Sequence, residues 1–134
     1  MALATQLTLT LRSDTGTLAT LCRDLADGGV NLLGLSATES DGPFGAIRLL
    51  VASPDLARMA LTKAGYSFQD EEVLFVELKN RPGALAKAAE KLARAGIAIR
   101  YAHATTYRRA QKTAAVIAVT PADLDRAGRL FAGR

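Results

Sequence analysis

Leu7-Thr8-Leu9-Thr10-Leu11-Arg12-Ser13-Asp14-Thr15-Gly16-Thr17-Leu18-Ala19 returns 67 residues later as Leu74-Phe75-Val76-Glu77-Leu78-Lys79-Asn80-Arg81-Pro82-Gly83-Ala84-Leu85-Ala86. Extended over Gln6–Thr38 and Val73–Thr105, the offset makes ten of 33 positions identical, where composition alone gives about two or three. Gly16 falls on Gly83 and Gly29 on Gly96, and the register carries on to Ser53-Pro54 and Thr120-Pro121. Two amphipathic helices alike by coincidence would share alanines and leucines, but not glycines and prolines in register. The chain reads as a duplication, with modules at residues 1–71 and 72–134, and a repeat sets the architecture before any single element does.

Within copy one, Leu7, Leu9 and Leu11 alternate with threonines, the period of a half-buried strand. Leu18, Leu21, Cys22, Leu25 and Ala26 then recur at helical spacing, and Asp27-Gly28-Gly29 supplies the stop. A second strand is predicted from Val30, a turn at Ser40-Asp41-Gly42-Pro43 and a third strand over Ile47–Ala52. Ser53-Pro54-Asp55 is a helix start, with a capping hydroxyl and proline at the first helical position. Tyr66–Glu71 is read as a fourth strand running almost directly into Val73–Leu78, the first strand of copy two. Copy two predicts a helix over Pro82–Ala95, strands over Ile97–Thr105 and Thr113–Val119, and a last helix from Thr120-Pro121. There it ends, one strand short of copy one. The order β-α-β-β-α-β is that of the ferredoxin-like α+β fold, two helices on one face of an antiparallel sheet.

Composition narrows the function. The 134 residues are 49% hydrophobic and 22% charged, a globular balance that excludes a mainly disordered chain. No run approaches the roughly 18 apolar residues of a membrane helix. Met1-Ala2-Leu3-Ala4-Thr5-Gln6 has no basic segment before an apolar core, so no export signal is expected and a reducing, cytoplasmic setting is. The single cysteine, Cys22, and single histidine, His103, make neither a disulfide nor a zinc site. Cys22 lies on an apolar helix face, as a core residue does, and His103 aligns with Ser36 as a structural or rim position. No catalytic triad, phosphate loop or cofactor motif emerges, and neither nucleic acid nor membrane is expected as a partner. A charge of +4 permits anionic ligands without requiring them.

The run Val76-Glu77-Leu78-Lys79-Asn80-Arg81-Pro82-Gly83-Ala84-Leu85, followed by Leu92-Ala93-Arg94-Ala95-Gly96-Ile97-Ala98-Ile99, resembles the ACT domain, a small-molecule regulatory module typified by amino-acid sensing. Phe44-Gly45-Ala46-Ile47-Arg48-Leu49-Leu50-Val51 and Val73–Leu78 are similar to the corresponding segments of free-standing tandem ACT proteins. The resemblance implies two ferredoxin-like modules side by side, the second lacking its last strand, and regulation without catalysis. It further implies a ligand held between one module's glycine loop and the second strand of its neighbour. Carried over residue by residue, Ser13, Asp14, Thr15, Gly16, Thr17 and Leu18 would face Ala98 and Arg100. Asn80, Arg81, Pro82, Gly83, Ala84 and Leu85 would face Asn31 and Leu33. Copy one departs from the pattern in having no proline in its loop, and Asp14 aligns with Arg81, so equal sites are not implied.

The glycines have physical reasons of their own. A strand-to-helix loop exposes the first unpaired N–H groups of the helix and the positive end of its dipole. Glycine lets a carboxylate approach that backbone. The dipole contributes only about 0.3–1 kcal/mol, so an amino-acid ligand needs further partners, for which Asp14 and Asn80 are candidates. The same glycines would serve a tight turn with no ligand at all. The competing reading is therefore a protein–protein interaction module with vestigial loops. A half of about 65 residues is marginal alone, and the missing strand leaves an edge to cover, so a homodimer is expected. A partner enzyme or regulator would carry the output. An RNA-binding sheet would need stacking aromatics, and an acylphosphatase-type hydrolase a phosphate-cradling run that is absent here.

Overall fold

The computed structural model describes residues 2–38 and 42–132, so Ser40 and Asp41 of the expected turn lie outside the described residues. The elements are β1 (Leu3–Arg12), α1 (Thr17–Asp27), β2 (Leu32–Thr38), β3 (Phe44–Val51), α2 (Pro54–Lys63), β4 (Gln69–Lys79), α3 (Ala84–Arg94), β5 (Tyr101–Thr105), β6 (Lys112–Ala118) and α4 (Pro121–Phe131). They form two compact units: Thr5–Glu71, and Glu72 onward together with the N-terminal residues up to Ala4. Each is an antiparallel ferredoxin-like α+β module.

In the first module the strands run β2-β3-β1, with the opening residues of β4 beside β1. There the Thr8 hydroxyl donates to the Gln69 carbonyl at 3.4 Å, and the Gln6 amide to Glu71 at 3.2 Å. Leu7 and Leu9, alternating as their period requires, meet Leu21 and Leu25 of α1, Ile47 and Leu49 of β3, and Leu61 of α2. In the second module the order is β5-β6-β4. Leu74, Val76 and Leu78 pack with Ala88 and Leu92 of α3, Ile117 of β6 and Phe131 of α4. Each helix buries residues four apart, such as Leu21 with Leu25 and Ala88 with Leu92. A fully buried leucine contributes about 1.5–3 kcal/mol, which commits each helix to its sheet.

In the second module the last described element is α4, which follows β6. The module's fourth strand position is filled by the N-terminus. The Phe75 amide donates to the Ala2 carbonyl at 2.7 Å, Ala2 joins the module's core, and Leu3 packs against it beside Gly128.

Several boundaries differ from the sequence reading. Tyr66 stands outside any strand, because its amide closes α2 by donating to the Leu61 carbonyl. The expected pair of strands, Tyr66–Glu71 and Val73–Leu78, is instead the single unbroken β4. β5 starts at Tyr101 rather than Ile97, because the Ile97 amide is spent on the Leu92 carbonyl, ending α3. Val30 does the same with Leu25 at the end of α1, so a leucine-to-aliphatic cap recurs at the repeat offset. Finally α3 starts at Ala84, with Pro82 and Gly83 in the turn before it. The Ser53 cap is present, its hydroxyl accepting from the Leu56 amide at 3.3 Å.

Candidate functional site

The two glycine loops share their backbone geometry at the helix start. Gly16 has φ 91° and ψ −10°, and Gly83 has φ 89° and ψ −11°. That region favours glycine over every other residue. Behind them Thr17 donates to the Asp14 carbonyl at 3.2 Å, and Ala84 to the Arg81 carbonyl at 3.3 Å. One turn on, the Thr20 amide reaches the Gly16 carbonyl at 2.9 Å, and Lys87 reaches Gly83 at 3.0 Å. No side chain caps the start of α1 or α3. Among the described residues, no heavy atom beyond the adjoining residues stands within 4 Å of where a Cβ would be at either glycine, so the space over each loop is open. Both helices thus present the positive ends of their dipoles to that space.

The loops differ in what surrounds them. In the first module a cavity of about 200 Å³ opens between the loop and the far ends of β2 and β3. Ser13, Asp14, Thr17 and Leu18 line one wall, and Thr38 and Gly45 the other. Arg12 and Asp14 form an ion pair at 3.0 Å across its rim, both well exposed, and the Arg12 guanidinium lies 5.7 Å from the centre of the Phe44 ring. The Ser13 amide donates to the Pro43 carbonyl at 2.7 Å, tying the loop to β3. A second depression of about 420 Å³ lies over Thr15, Gly16 and Thr20 and is bounded by Tyr66. The Tyr66 hydroxyl donates to Asp24 at 2.7 Å, and its burial, reinforced by that carboxylate, pushes its pKa up to about 12.

In the second module the loop amide is already engaged. Asn80 donates its backbone N–H to the Gln111 carbonyl and its side-chain amide to the Ala110 carbonyl, both at 2.8 Å. Arg81, Pro82, Gly83 and Leu85 are exposed around it, with Ala84 half-buried.

Of the other expected contact residues, Asn31 is exposed, its carbonyl accepting from the Ala52 amide at 3.0 Å. Leu33 projects at the irregularity between Leu32 and Gly34 and is 56% exposed. Both sit at the opposite end of β2 from Thr38, roughly 20 Å away at a strand's rise, so the first module's own loop does not meet them. Ala98 and Arg100 are exposed ahead of β5, with the Arg100 amide donating to the Ala118 carbonyl at 2.8 Å. His103 is half-buried in β5 opposite Val116, and Cys22 half-buried on α1.

Arg12, Thr38, Gly45 and Tyr66 are among the wall residues that sequence reasoning passed over. Gly45 left a signal, a glycine inside a strand. A Cβ there would lie 2.7 Å from the Thr38 carbonyl oxygen and 3.0 Å from the Ser13 hydroxyl. Tyr66 left none, since only folding brings it beside a loop fifty residues earlier in the chain. Among the described residues no group of three or more acidic, histidine or cysteine side chains is placed to hold a metal ion. No described helix is long and apolar enough to cross a membrane.

A model of the ACT domain pair family matches residues 1–123. Among solved structures, the chain is similar to the protein BT0572 of Bacteroides thetaiotaomicron, at 28% identity and a TM-score of 0.85 over 96% of this chain and 86% of that one. It also resembles the ligand-free regulatory subunit of aspartate kinase from Thermus thermophilus, at 17% identity and a TM-score of 0.66 over 98% and 95%. The corresponding Thermus flavus subunit gives 17% and 0.59 over the same shares. At the identities of these two subunits the likeness is one of fold. No curated protein matches the chain by sequence.

Proposed function

The chain belongs to the ACT domain pair family, and from that premise we propose that it is a regulatory protein that binds an amino acid or related carboxylate and catalyses nothing itself. The observation that carries the proposal is the twice-built loop: a left-handed glycine before a helix start that no side chain caps, with open space above it. The free N–H groups at the start of α1 suit a carboxylate. Arg12 supports the same charge, and Asp14 offers an acceptor for an ammonium group. Opening the Arg12–Asp14 pair costs little, because exposed pairs contribute about 0–1 kcal/mol.

The first loop is the primary site in this proposal, since it has a cavity of its own while Asn80 is spent on the hairpin in the second. The neighbour-strand contacts with Ala98, Arg100, Asn31 and Leu33 are part of the same proposal. So are the division into regulatory modules at residues 1–71 and 72–134, a homodimer, and a cytoplasmic setting. The Thermus thermophilus protein of this fold is a regulatory subunit. The proposal takes over its regulatory role, with the output passing to a partner or through oligomer state. Binding acts by differential affinity for two states of the pair.

Thermal-shift measurement against the twenty amino acids tests this. A ligand at about 100 times its dissociation constant adds about 2.7 kcal/mol of stability. If none of them raises the melting temperature, the interaction module with vestigial loops replaces the sensor.

A further inference from the structure

The second module carries a charged surface that its own repeat does not. The Tyr107 carbonyl accepts from the Ala110 amide at 2.9 Å, a tight turn that places Arg108 and Arg109 at the tip between β5 and β6. Asn80 holds the preceding loop against that tip through Gln111 and Ala110. Lys79 lies directly across the ladder from Lys112. Lys112 is matched by Glu77 at 2.9 Å. Lys79, Arg81, Arg108 and Arg109 are exposed, and no ion pair engages them among the described residues.

The duplication serves as an internal control. At the offset of 67, Lys79 corresponds to Arg12, a shared basic position, but Arg81 corresponds to Asp14. The ladders place β6 68 residues after β3, and where the second module's hairpin carries Tyr107-Arg108-Arg109 the first has Ser40-Asp41-Gly42-Pro43 in sequence, with no cation. The fold does not need the three arginines, since the first module has the same elements without them. Lys79 opposite Lys112 is a like-charge pair that weakens the sheet. Tyr107 stands 81% exposed at the tip, an aromatic that contributes nothing to the core. Tyrosine and arginine are the residue types that anchor protein interfaces.

We propose that this end of the second module, Lys79, Arg81 and Tyr107–Arg109, is the docking surface for an acidic segment of a partner protein. The inference rests on the regulatory reading, takes the branch of it in which the output passes to a partner, and gives that partner its chemistry. A protein segment fits better than nucleic acid. Four exposed cations neutralise few phosphates, and one exposed aromatic makes no stacking platform. Arginine pairs with carboxylates bidentately while Tyr107 covers apolar surface beside them.

Fluorescence anisotropy with a fluorescein-labelled peptide of alternating glutamate and serine, and with an oligothymidylate of matching charge, tests the proposal on the full chain. The peptide is expected to bind and to weaken with salt. Arg108→Glu combined with Arg109→Glu should weaken it roughly tenfold or more, and Tyr107→Ala should weaken it as well. Lys63→Glu in the first module should leave binding unchanged. The tip is exposed, so these variants keep the fold, which circular dichroism verifies. No peptide binding, equal binding by the double variant, or tighter binding of the oligothymidylate would overturn the proposal. The amino-acid thermal shift is read separately on the same variants, so loss of peptide binding with the shift intact isolates the docking surface from the ligand site.

Discussion

A side chain at Gly28 would put its Cβ 2.6 Å from the Cβ of Ala60, where α1 and α2 pack. Its φ of −85° is ordinary, so contact alone demands the glycine. Gly28→Ala should therefore destabilise the protein by about 1–3 kcal/mol in urea titration, the cost of overpacking. Gly16 and Gly83 are the reverse case, with a left-handed φ that only glycine adopts without strain and with empty space. Gly16→Val or Gly83→Val should cost about 1–2 kcal/mol through the backbone alone and leave the core intact. Gly16→Val should also abolish the amino-acid thermal shift, and normal binding by it would remove the first loop from the site. Tyr66 adds a pH signature. Its pKa of about 12 lies above the free value of 10.0. The stability it contributes is thus complete below pH 10.0 and is lost as pH rises through about 12. Ultraviolet titration should show a late tyrosine ionisation belonging to Tyr66. Tyr66→Phe should remove that late step and cost about 1–2 kcal/mol near neutral pH, the worth of a hydrogen bond to a carboxylate.

Among the elements, β1 and β4 carry most of the news. Each is long, with ten and eleven residues, and each lends its first few residues to the other module's compact unit. In the first module, Gln69–Glu71 border β1, and Arg58 on α2 grips Asp70 through two nitrogens, Nη2 to Oδ2 at 2.7 Å and Nε to Oδ1 at 3.1 Å. That pair holds the Asp70 carboxyl below its usual range. In the second module, Ala2 and Leu3 take the vacant strand position. Leu3→Asp should accordingly lower stability by about 1–3 kcal/mol and raise hydrogen exchange in β6 and α4, while Leu21 and Leu25 of α1 stay protected. Uniform loosening of both modules would contradict the assignment of Leu3 to the second core. The sequence showed that a strand was missing, because counting elements against the repeat suffices for that. It did not show the replacement, because Ala2 and Phe75 meet only through long-range pairing.

For the whole molecule, the duplication accounts for the backbone and divergence for the surfaces. Identical hydrogen bonds at an offset of 67 maintain both helix starts, whereas Asp14 has become Arg81 and Ser13 has become Asn80. Those two exchanges separate an open loop beside a cavity from a loop tied to a basic hairpin. A chain of 14.1 kDa is expected to scatter in solution as twice that mass if the proposed homodimer forms, and a monomeric mass in dilute solution would count against it. Saturating ligand should narrow hydrogen exchange around the first loop more than the second.

By itself the sequence determined the number of modules, the order of their elements and the positions of the glycine loops. All three depend on short-range periodicity and on a repeat that can be laid over itself. Element ends were less legible, since Tyr66 and Ile97 spend their amides on helix caps that compete with strand pairing. The tertiary structure alone decided which residues complete the second sheet, which loop has room beside it, and that Tyr66 and Gly45 stand at that loop. Those are properties of groups far apart in the chain, brought within contact distance by burial of the two cores.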